Sequence, residues 1–251
     1  MPDPGRPVAG QGAWPQWKRP AATGRPFLMS GNGGMLKPGR AGRRNAWRAT
    51  QRVNQGADTM VRTESTMMPL GTAAPDFTLP STEGGEVSLE QVRGGRGLLV
   101  AFICNHCPYV KHIRGGLAAF ARDYASKGIN TVAISANDIE AYPQDNLEAM
   151  AEEKRVAGYD FPYLLDETQE VAKAYGAACT PDFFLFDADL KLVYRGRFDA
   201  ATPGNDQPVD GRDLRAAADA LLRGETLPEE QQRPSMGCNI KWKPGNEPAY
   251  F

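Results

Sequence analysis

The sequence predicts an α/β fold, a three-layer α/β/α sandwich with a mixed central sheet, and two observations favour it. Apolar runs typical of buried strands alternate with segments of helical periodicity between residues 98 and 176. Two further short runs flank a turn at residues 187–189, which indicates a hairpin, and an amphipathic segment follows. Strand, helix, strand, helix, strand, helix, hairpin and helix is the order expected of such a sandwich.

The first elements of the fold have clear local signals. Two glycines predict a turn at residues 84–85, and Ser88 begins a short capped helical turn. Residues 98–103 are apolar without alternation, as expected of a central strand that is buried on both faces. From Cys107 onward, apolar residues recur at intervals of three or four, which predicts a helix with Pro108 in its first turn.

The later elements follow from the same patterns. The remaining predicted strands are 130–136, 161–165, 182–186 and 190–194, and the remaining predicted helices are 145–156, one that ends at Gly176, and 213–222. Asp166 and Gln169, three residues apart, indicate a capping box at the start of the helix that ends at Gly176. Gly224 is expected to stop the last helix.

Two cysteines, Cys104 and Cys107, stand where the central strand gives way to the first long helix. A C-x-x-C at such a junction is typical of redox sites in α/β proteins. The helix start favours a thiolate at Cys107. A helix end contributes only roughly 0.3–1 kcal/mol, which is less than about one pKa unit, so other groups must add to the stabilisation. His106 and Lys111 are the nearest candidates in the sequence.

A zinc site is the alternative interpretation of this cysteine pair. It would need two more ligands at comparable spacing. The only two histidines, His106 and His112, both lie in this same stretch. The redox interpretation is therefore preferred, and no metal and no cofactor are expected. Cys179 and Cys238, the other two cysteines, are as consistent with small buried hydrophobic residues as with a catalytic role.

Composition divides the chain into three segments. Residues 1–66 are rich in Gly, Pro and Arg and lack hydrophobic periodicity, so they are predicted to be a disordered extension. Up to Glu64 there are eleven basic and three acidic residues; totals of 29 and 30 leave 18 basic and 27 acidic residues for the remainder. The globular domain is predicted for residues 67–226, with a C-terminal extension, residues 227–251, packing on it.

The basic N-terminal segment is consistent with several origins. It fits an organellar transit peptide or a weak contact with nucleic acid or an anionic surface, but a start of translation at Met60, Met67 or Met68 is preferred. No nucleic-acid partner is expected. No apolar stretch is long enough for the core of a secretory signal or for a bilayer span, so no membrane association is expected. The expected location is the cytoplasm, and the oligomeric state is left open.

Several motifs resemble those of one known superfamily. The cysteine junction, and Thr180-Pro181 just before the hairpin, are similar to the thioredoxin fold. The opening motifs Ala74-Pro-Asp-Phe-Thr-Leu79 and Ser88-Leu-Glu-Gln-Val-Arg-Gly94 resemble its alkyl hydroperoxide reductase and thiol-specific antioxidant branch, the peroxiredoxins. A peroxiredoxin-like subgroup is more similar still, through the motifs Cys104-Asn-His-Cys107-Pro-Tyr-Val110, Ala178-Cys-Thr-Pro-Asp-Phe-Phe-Leu-Phe186 and Gly237-Cys-Asn-Ile-Lys-Trp242. The resemblance covers residues 70–251.

The resemblance implies roles for individual residues. Cys107 takes the position of the thioredoxin nucleophile, and Val110 takes that of its usual resolving cysteine. Thr180-Pro181 matches the cis-proline beside the active-site sulfur, where the backbone can align a substrate strand. In the register of Cys107, the Pro and Thr that peroxiredoxins place before their reactive cysteine are replaced by Val100 and Cys104.

The expected function is thiol–disulfide oxidoreductase or antioxidant activity through a Cys107 thiolate. Cys104 is the expected resolving cysteine, Cys179 and Cys238 are further candidates for that role, and His106 is a candidate for tuning the thiolate. The alternatives are a thiol peroxidase that reduces hydroperoxides and a copper- or zinc-binding protein that uses Cys104, Cys107 and a histidine. The expected partners are a protein or small-molecule disulfide or hydroperoxide and a thiol donor such as a thioredoxin or glutathione system.

Overall fold

The computed structural model describes residues 62–251. The predicted disorder of residues 1–61, and Met60 as a translation start, lie outside the described residues. Residues 62–66, which belong to the predicted extension, include a short strand in the structure. The division of the chain into three segments stays a prediction. In residues 62–251, no helix has both the length and the apolar character needed to cross a bilayer.

The described chain contains ten strands and five α-helices. The strands are β1 (Arg62–Glu64), β2 (Thr78–Pro80), β3 (Glu86–Ser88), β4 (Gly97–Phe102), β5 (Ile129–Ser135), β6 (Tyr163–Leu165), β7 (Cys179–Thr180), β8 (Asp182–Asp187), β9 (Leu192–Gly196) and β10 (Met236–Asn239). The α-helices are α1 (Leu89–Val92), α2 (Pro108–Ala125), α3 (Leu147–Ala157), α4 (Glu170–Ala174) and α5 (Arg212–Leu222). Single 3-10 turns cover Pro143–Asp145 and Glu229–Gln231.

A five-stranded mixed sheet lies at the centre of the fold, in the order β6-β5-β4-β8-β9. β4 is the middle strand, parallel to β5 and antiparallel to β8, and all six of its residues are buried. β6 continues the parallel side and β9 the antiparallel side. The prediction of a mixed sheet with a buried central strand is confirmed.

Helices cover both faces of this sheet. Alternate residues of β4 point to opposite faces, so Leu99 and Ala101 join one apolar cluster while Val100 and Phe102 join the other. The first cluster contains the buried faces of α2, α3 and α5. The second contains those of α1 and α4 together with Trp242 from the C-terminal segment. The three-layer arrangement predicted from the sequence is therefore confirmed.

Two predicted helix starts are wrong. The helix expected from residue 145 begins at Leu147, because the Asn146 side chain caps it by accepting the N–H of Ala149 at 2.9 Å. The capping box expected at Asp166 and Gln169 does not form. α4 begins only at Glu170, and the buried Gln169 amide instead donates to the carbonyl oxygens of Ala136, at 2.7 Å, and Lys241. Tertiary hydrogen bonds outweighed the local capping pattern here. The box at Ser88 and its partner three residues later is present.

A second, smaller sheet brings the two ends of the described chain together. Its order is β1-β10-β7, and both pairings are antiparallel. β7 leads directly into the cis peptide bond between Thr180 and Pro181. The C-terminal segment is held further by backbone hydrogen bonds between Asp138 and Lys241 and between Lys241 and the Asn137 side chain. This sheet is what places β10 against the end of the central sheet.

Candidate active site

The predicted nucleophile, Cys107, lies where the chain leaves the sheet and enters α2. It is the residue immediately before the helix, Pro108 occupies the first helical turn, and the Cys107 carbonyl oxygen accepts the N–H of Lys111 at 3.0 Å. Proline fits there because the first amides of a helix have no partner within it. The side chain is 0% exposed. The predicted position of Cys107 at a helix N-terminus is confirmed.

Three groups surround the Cys107 sulfur. The Cys238 sulfur lies 3.0 Å away and the Thr180 carbonyl oxygen 3.1 Å away. Cys104 approaches from the loop that follows β4, and its sulfur lies 3.3 Å from the Thr180 hydroxyl oxygen. All four cysteines of the chain are reduced and buried. The fold therefore gathers Cys104, Cys107 and Cys238 around one backbone position, Thr180.

The three sulfurs differ in acidity. Hydrogen bonds from the Cys104 and Cys238 thiols, and then the N–H of Val110, lower the pKa of Cys107, against the opposing effect of burial. Burial, and then the hydrogen bond to Cys107, raises the pKa of Cys104 well above its ordinary value. The hydrogen bond to Cys107 raises the pKa of Cys238. The arrangement thus concentrates one negative charge on Cys107, with the other two cysteines as thiols that donate to it.

His106 faces a buried carboxylate. Its Nδ1 lies 2.6 Å from the Asp145 carboxylate, and its ring stacks on Tyr142 with centroids 5.5 Å apart. Asp145 also accepts the N–H of Asn105 and the amide of Asn137, both at 2.8 Å. Asp145 therefore fixes the loop between the two cysteines of the motif. Sequence reasoning missed this role, because Asp145 is forty residues from Asn105 in the chain and carries no local signal.

Cys104, His106 and Asp145 also form a group whose potential ligand atoms all lie within 4.8 Å of one another. The Asp145 oxygens are already used by the donors named above. The group fits a hydrogen-bonded support for the loop better than a metal centre.

The segment 179–181 contacts the cysteine sulfurs. The peptide bond between Thr180 and Pro181 is cis, as the resemblance implied. Cys179 is buried, and its sulfur lies 3.6 Å from the Pro181 carbonyl oxygen. Burial and the nearby Asp182 carboxylate raise the pKa of Cys179 well above its ordinary value. The structure brings Thr180, Cys104 and Cys238 to Cys107, while the Cys179 sulfur sits beside the Pro181 carbonyl.

A mixed sheet that carries an acidic cysteine at a strand-to-helix junction, opposite a cis-proline, defines a thiol-dependent redox protein with a thioredoxin-like fold. Residues 70–195 match the model of the AhpC/TSA family. The chain belongs to the AhpC/TSA family, and it is an oxidoreductase of the thioredoxin superfamily.

Three relatives illustrate the range of similarity. The thiol-disulfide oxidoreductase ResA of Geobacillus thermodenitrificans is 30% identical over 130 residues, which are 52% of this chain and 70% of that protein. A Mycobacterium tuberculosis protein, named provisionally as a peroxiredoxin, is 31% identical over 46% of this chain and 68% of its own. The crystal structure of an uncharacterized conserved protein from Geobacillus kaustophilus is 54% identical, with a TM-score of 0.72, over 74% of this chain and 98% of that one.

Proposed function

We propose that this protein is a thiol–disulfide oxidoreductase in which the Cys107 thiolate attacks a disulfide substrate. One observation supports this most directly: two thiols and a helix-start amide donate to the Cys107 sulfur and lower its pKa. A thiolate, not a thiol, is the nucleophile in disulfide exchange. The site therefore carries its nucleophile in the reactive form at neutral pH.

The reaction is a two-step exchange. The Cys107 thiolate attacks one sulfur of the substrate disulfide, forms a mixed disulfide and releases the other sulfur, which takes up a proton. A second thiol of the protein then attacks the Cys107 sulfur, closes a protein disulfide and releases the remaining substrate sulfur as a thiol. The substrate gains two electrons and two protons. An external thiol donor returns the protein to its reduced form.

A peroxidase reaction is the second candidate, and the AhpC/TSA family match favours considering it. Against it, Cys104 and Val100 stand three and seven positions before Cys107, where peroxiredoxins have a Thr and a Pro. Cys104 replaces the Thr hydroxyl, and its buried thiol is only a weak hydrogen-bond donor to a peroxide. Disulfide exchange needs no such group and is the preferred reaction.

The proposal also covers the substrate and the thiol donor of this protein. The substrate is a protein or small-molecule disulfide, and the donor is a thiol of the thioredoxin or glutathione class, because either reduces a disulfide by the same exchange chemistry. Cytoplasmic location and a role in cell redox homeostasis remain predictions from the sequence.

The experiment is a comparison of two oxidants. The reduced protein is mixed with glutathione disulfide or, separately, with hydrogen peroxide at equal concentration, and the modification of each cysteine is followed by mass spectrometry. We expect faster reaction with the disulfide, and loss of that reaction in Cys107→Ser. Faster formation of a Cys107 sulfenate would favour the peroxidase, and an unmodified Cys107 in both arms would contradict either redox function.

A further inference from the structure

The C-terminal strand β10 is paired directly with the backbone beside the cis-proline. Its register on β7 is antiparallel, with Cys238 opposite Thr180 and Asn239 opposite Cys179. The backbone edge of β7 is therefore already occupied. An extended peptide that pairs with an exposed strand edge uses these same backbone groups. β10 thus holds, within the chain itself, the position that an incoming strand would take beside Cys107.

Gly237 makes this close pairing possible. A Cβ atom at this position would lie 2.0 Å from the carbonyl oxygen of Thr180 and 2.6 Å from its carbonyl carbon. Both are backbone atoms, so no side chain could move aside to make room. Glycine is required here for close approach, and the approach brings the following residue, Cys238, onto Cys107.

Two thiols compete for the Cys107 sulfur, and their surroundings differ. Burial is the main cause that raises the pKa of Cys104, and the Asp145 carboxylate adds to it. The hydrogen bond to Cys107, and then burial, raises the pKa of Cys238, and the Lys241 ammonium opposes this rise only in part. The Cys238 sulfur, at 3.0 Å, is also in direct contact with the Cys107 sulfur. A resolving cysteine must reach the nucleophile, and the pairing of β10 with β7 holds the Cys238 sulfur in that position.

We propose that Cys238 is the cysteine that closes the protein disulfide with Cys107, and that β10 serves as a built-in substrate strand. The proposal rests on the proposed function, because it takes Cys107 as the nucleophile. Once Cys107 carries a substrate sulfur, Cys238 passes its proton to the leaving sulfur and attacks the Cys107 sulfur. The bond between Cys107 and the substrate breaks, the Cys107–Cys238 bond forms, and the substrate leaves as a thiol with two electrons gained in all.

The position of β10 also bears on the class of substrate. A protein strand can pair with Thr180 only after β10 has left that edge. A small disulfide also reaches the buried Cys107 sulfur only when β10 moves, but it does not need the backbone groups of the strand edge. The arrangement therefore favours small-molecule disulfides over extended peptide disulfides.

Glutathione disulfide is the probe for the test. One equivalent is added to the full-length reduced protein and to the variants Cys238→Ser and Cys104→Ser, and tryptic peptides are mapped without reduction. Cys104 and Cys107 lie in one tryptic peptide, between Arg96 and Lys111, whereas Cys238 lies in another. A Cys107–Cys238 bond therefore links two peptides, and a Cys104–Cys107 bond stays within one.

We expect the linked pair of peptides in the unmodified protein and in Cys104→Ser, with both glutathiones released. In Cys238→Ser the reaction is expected to stop with glutathione attached to Cys107. A bond within the single peptide, with full release of glutathione from Cys238→Ser, would overturn the proposal and leave the proposed function standing. A Cys107 that takes up no glutathione in any of the three proteins would overturn the proposed function and, with it, this proposal.

Discussion

Cys107 owes its acidity mainly to neighbouring thiols. A helix end supplies less than about one pKa unit, so it cannot account for a strongly acidic thiol alone. The largest contributions come from hydrogen bonds donated by Cys104 and Cys238. Of the two candidates named from the sequence, His106 pairs with Asp145 instead. Cys238 is 131 residues from Cys107 in the chain, so the sequence alone did not identify its thiol as a hydrogen-bond donor to Cys107.

Asp182, directly after the cis-proline, is a second buried ionisable group near the site. The Ser65 hydroxyl donates to its carboxylate at 2.7 Å, and the N–H of Ala178 donates at 3.3 Å. Burial outweighs these bonds and raises the pKa of Asp182 to about 7, from an ordinary value of 3.8. The folded protein therefore holds a proton there that the unfolded chain releases at lower pH.

This carboxyl makes stability depend on pH. Between about pH 4 and pH 7 the folded state binds more protons than the unfolded state, so the free energy of unfolding falls as pH rises, by at most about 1.4 kcal/mol per pH unit. We expect Asp182→Asn to remove this slope in urea unfolding measured across that range. Ser65→Ala, which removes a donor to the carboxylate, should extend the slope to higher pH. An unchanged slope in Asp182→Asn would contradict the assignment.

At the scale of elements, β10 depends on one glycine. In Gly237→Ala the new Cβ would overlap the Thr180 backbone, and overpacking of this kind costs roughly 1–3 kcal/mol. Local separation of β10 from β7 should then become about 5- to 150-fold more populated. We expect the rate of Cys107 alkylation by iodoacetamide to rise in the same proportion.

Gly95→Ala is the matched control for this substitution. A Cβ at Gly95 meets no atom within 4 Å, so its effect on alkylation should be small. Equal alkylation rates in Gly237→Ala and in the unmodified protein would show that β10 does not control access to Cys107.

The elements of the central sheet could be predicted because their signals are local. β4 is a continuous apolar run, and α2 carries its periodicity and its proline within its own sequence. β7 and β10 are two and four residues long, too short for a pattern, and they exist because they pair with each other and with β1. The sequence therefore predicted the cysteine motif from a local pattern, but it could give Cys238 only as one of several candidate partners of Cys107.

At the scale of the whole molecule, the first described residues hold the C-terminal strand in place. β1 pairs with β10. The Ser65 N–H donates to the Ser235 carbonyl oxygen, and the Ser235 N–H donates to the Ser65 hydroxyl oxygen, which itself donates to Asp182. The Thr66 hydroxyl donates to the Gly176 carbonyl oxygen at 2.7 Å. A short segment, residues 62–66, therefore stabilises the strand that covers the nucleophile.

A chain that begins at Met67 lacks this segment, and one that begins at Met60 retains it. Because the shorter chain loses several hydrogen bonds and leaves Asp182 without its Ser65 donor, we expect its free energy of unfolding to be lower by on the order of 3 kcal/mol. Its Cys107 should also be alkylated faster, since β10 becomes an edge strand. Urea unfolding and alkylation of the two chains provide the measurement, with the full-length protein as reference. Equal values for the two shortened chains would show that β1 is dispensable.

The pH dependence of the reaction between Cys107 and a small disulfide tests the central claim most directly. The rate is measured for the unmodified protein, with Cys107→Ser as the background. If Cys107 is held as a thiolate, the rate should already be at its plateau by about pH 6. A rate that instead rises about tenfold per pH unit up to about pH 8.5, as for an ordinary thiol, would contradict the account.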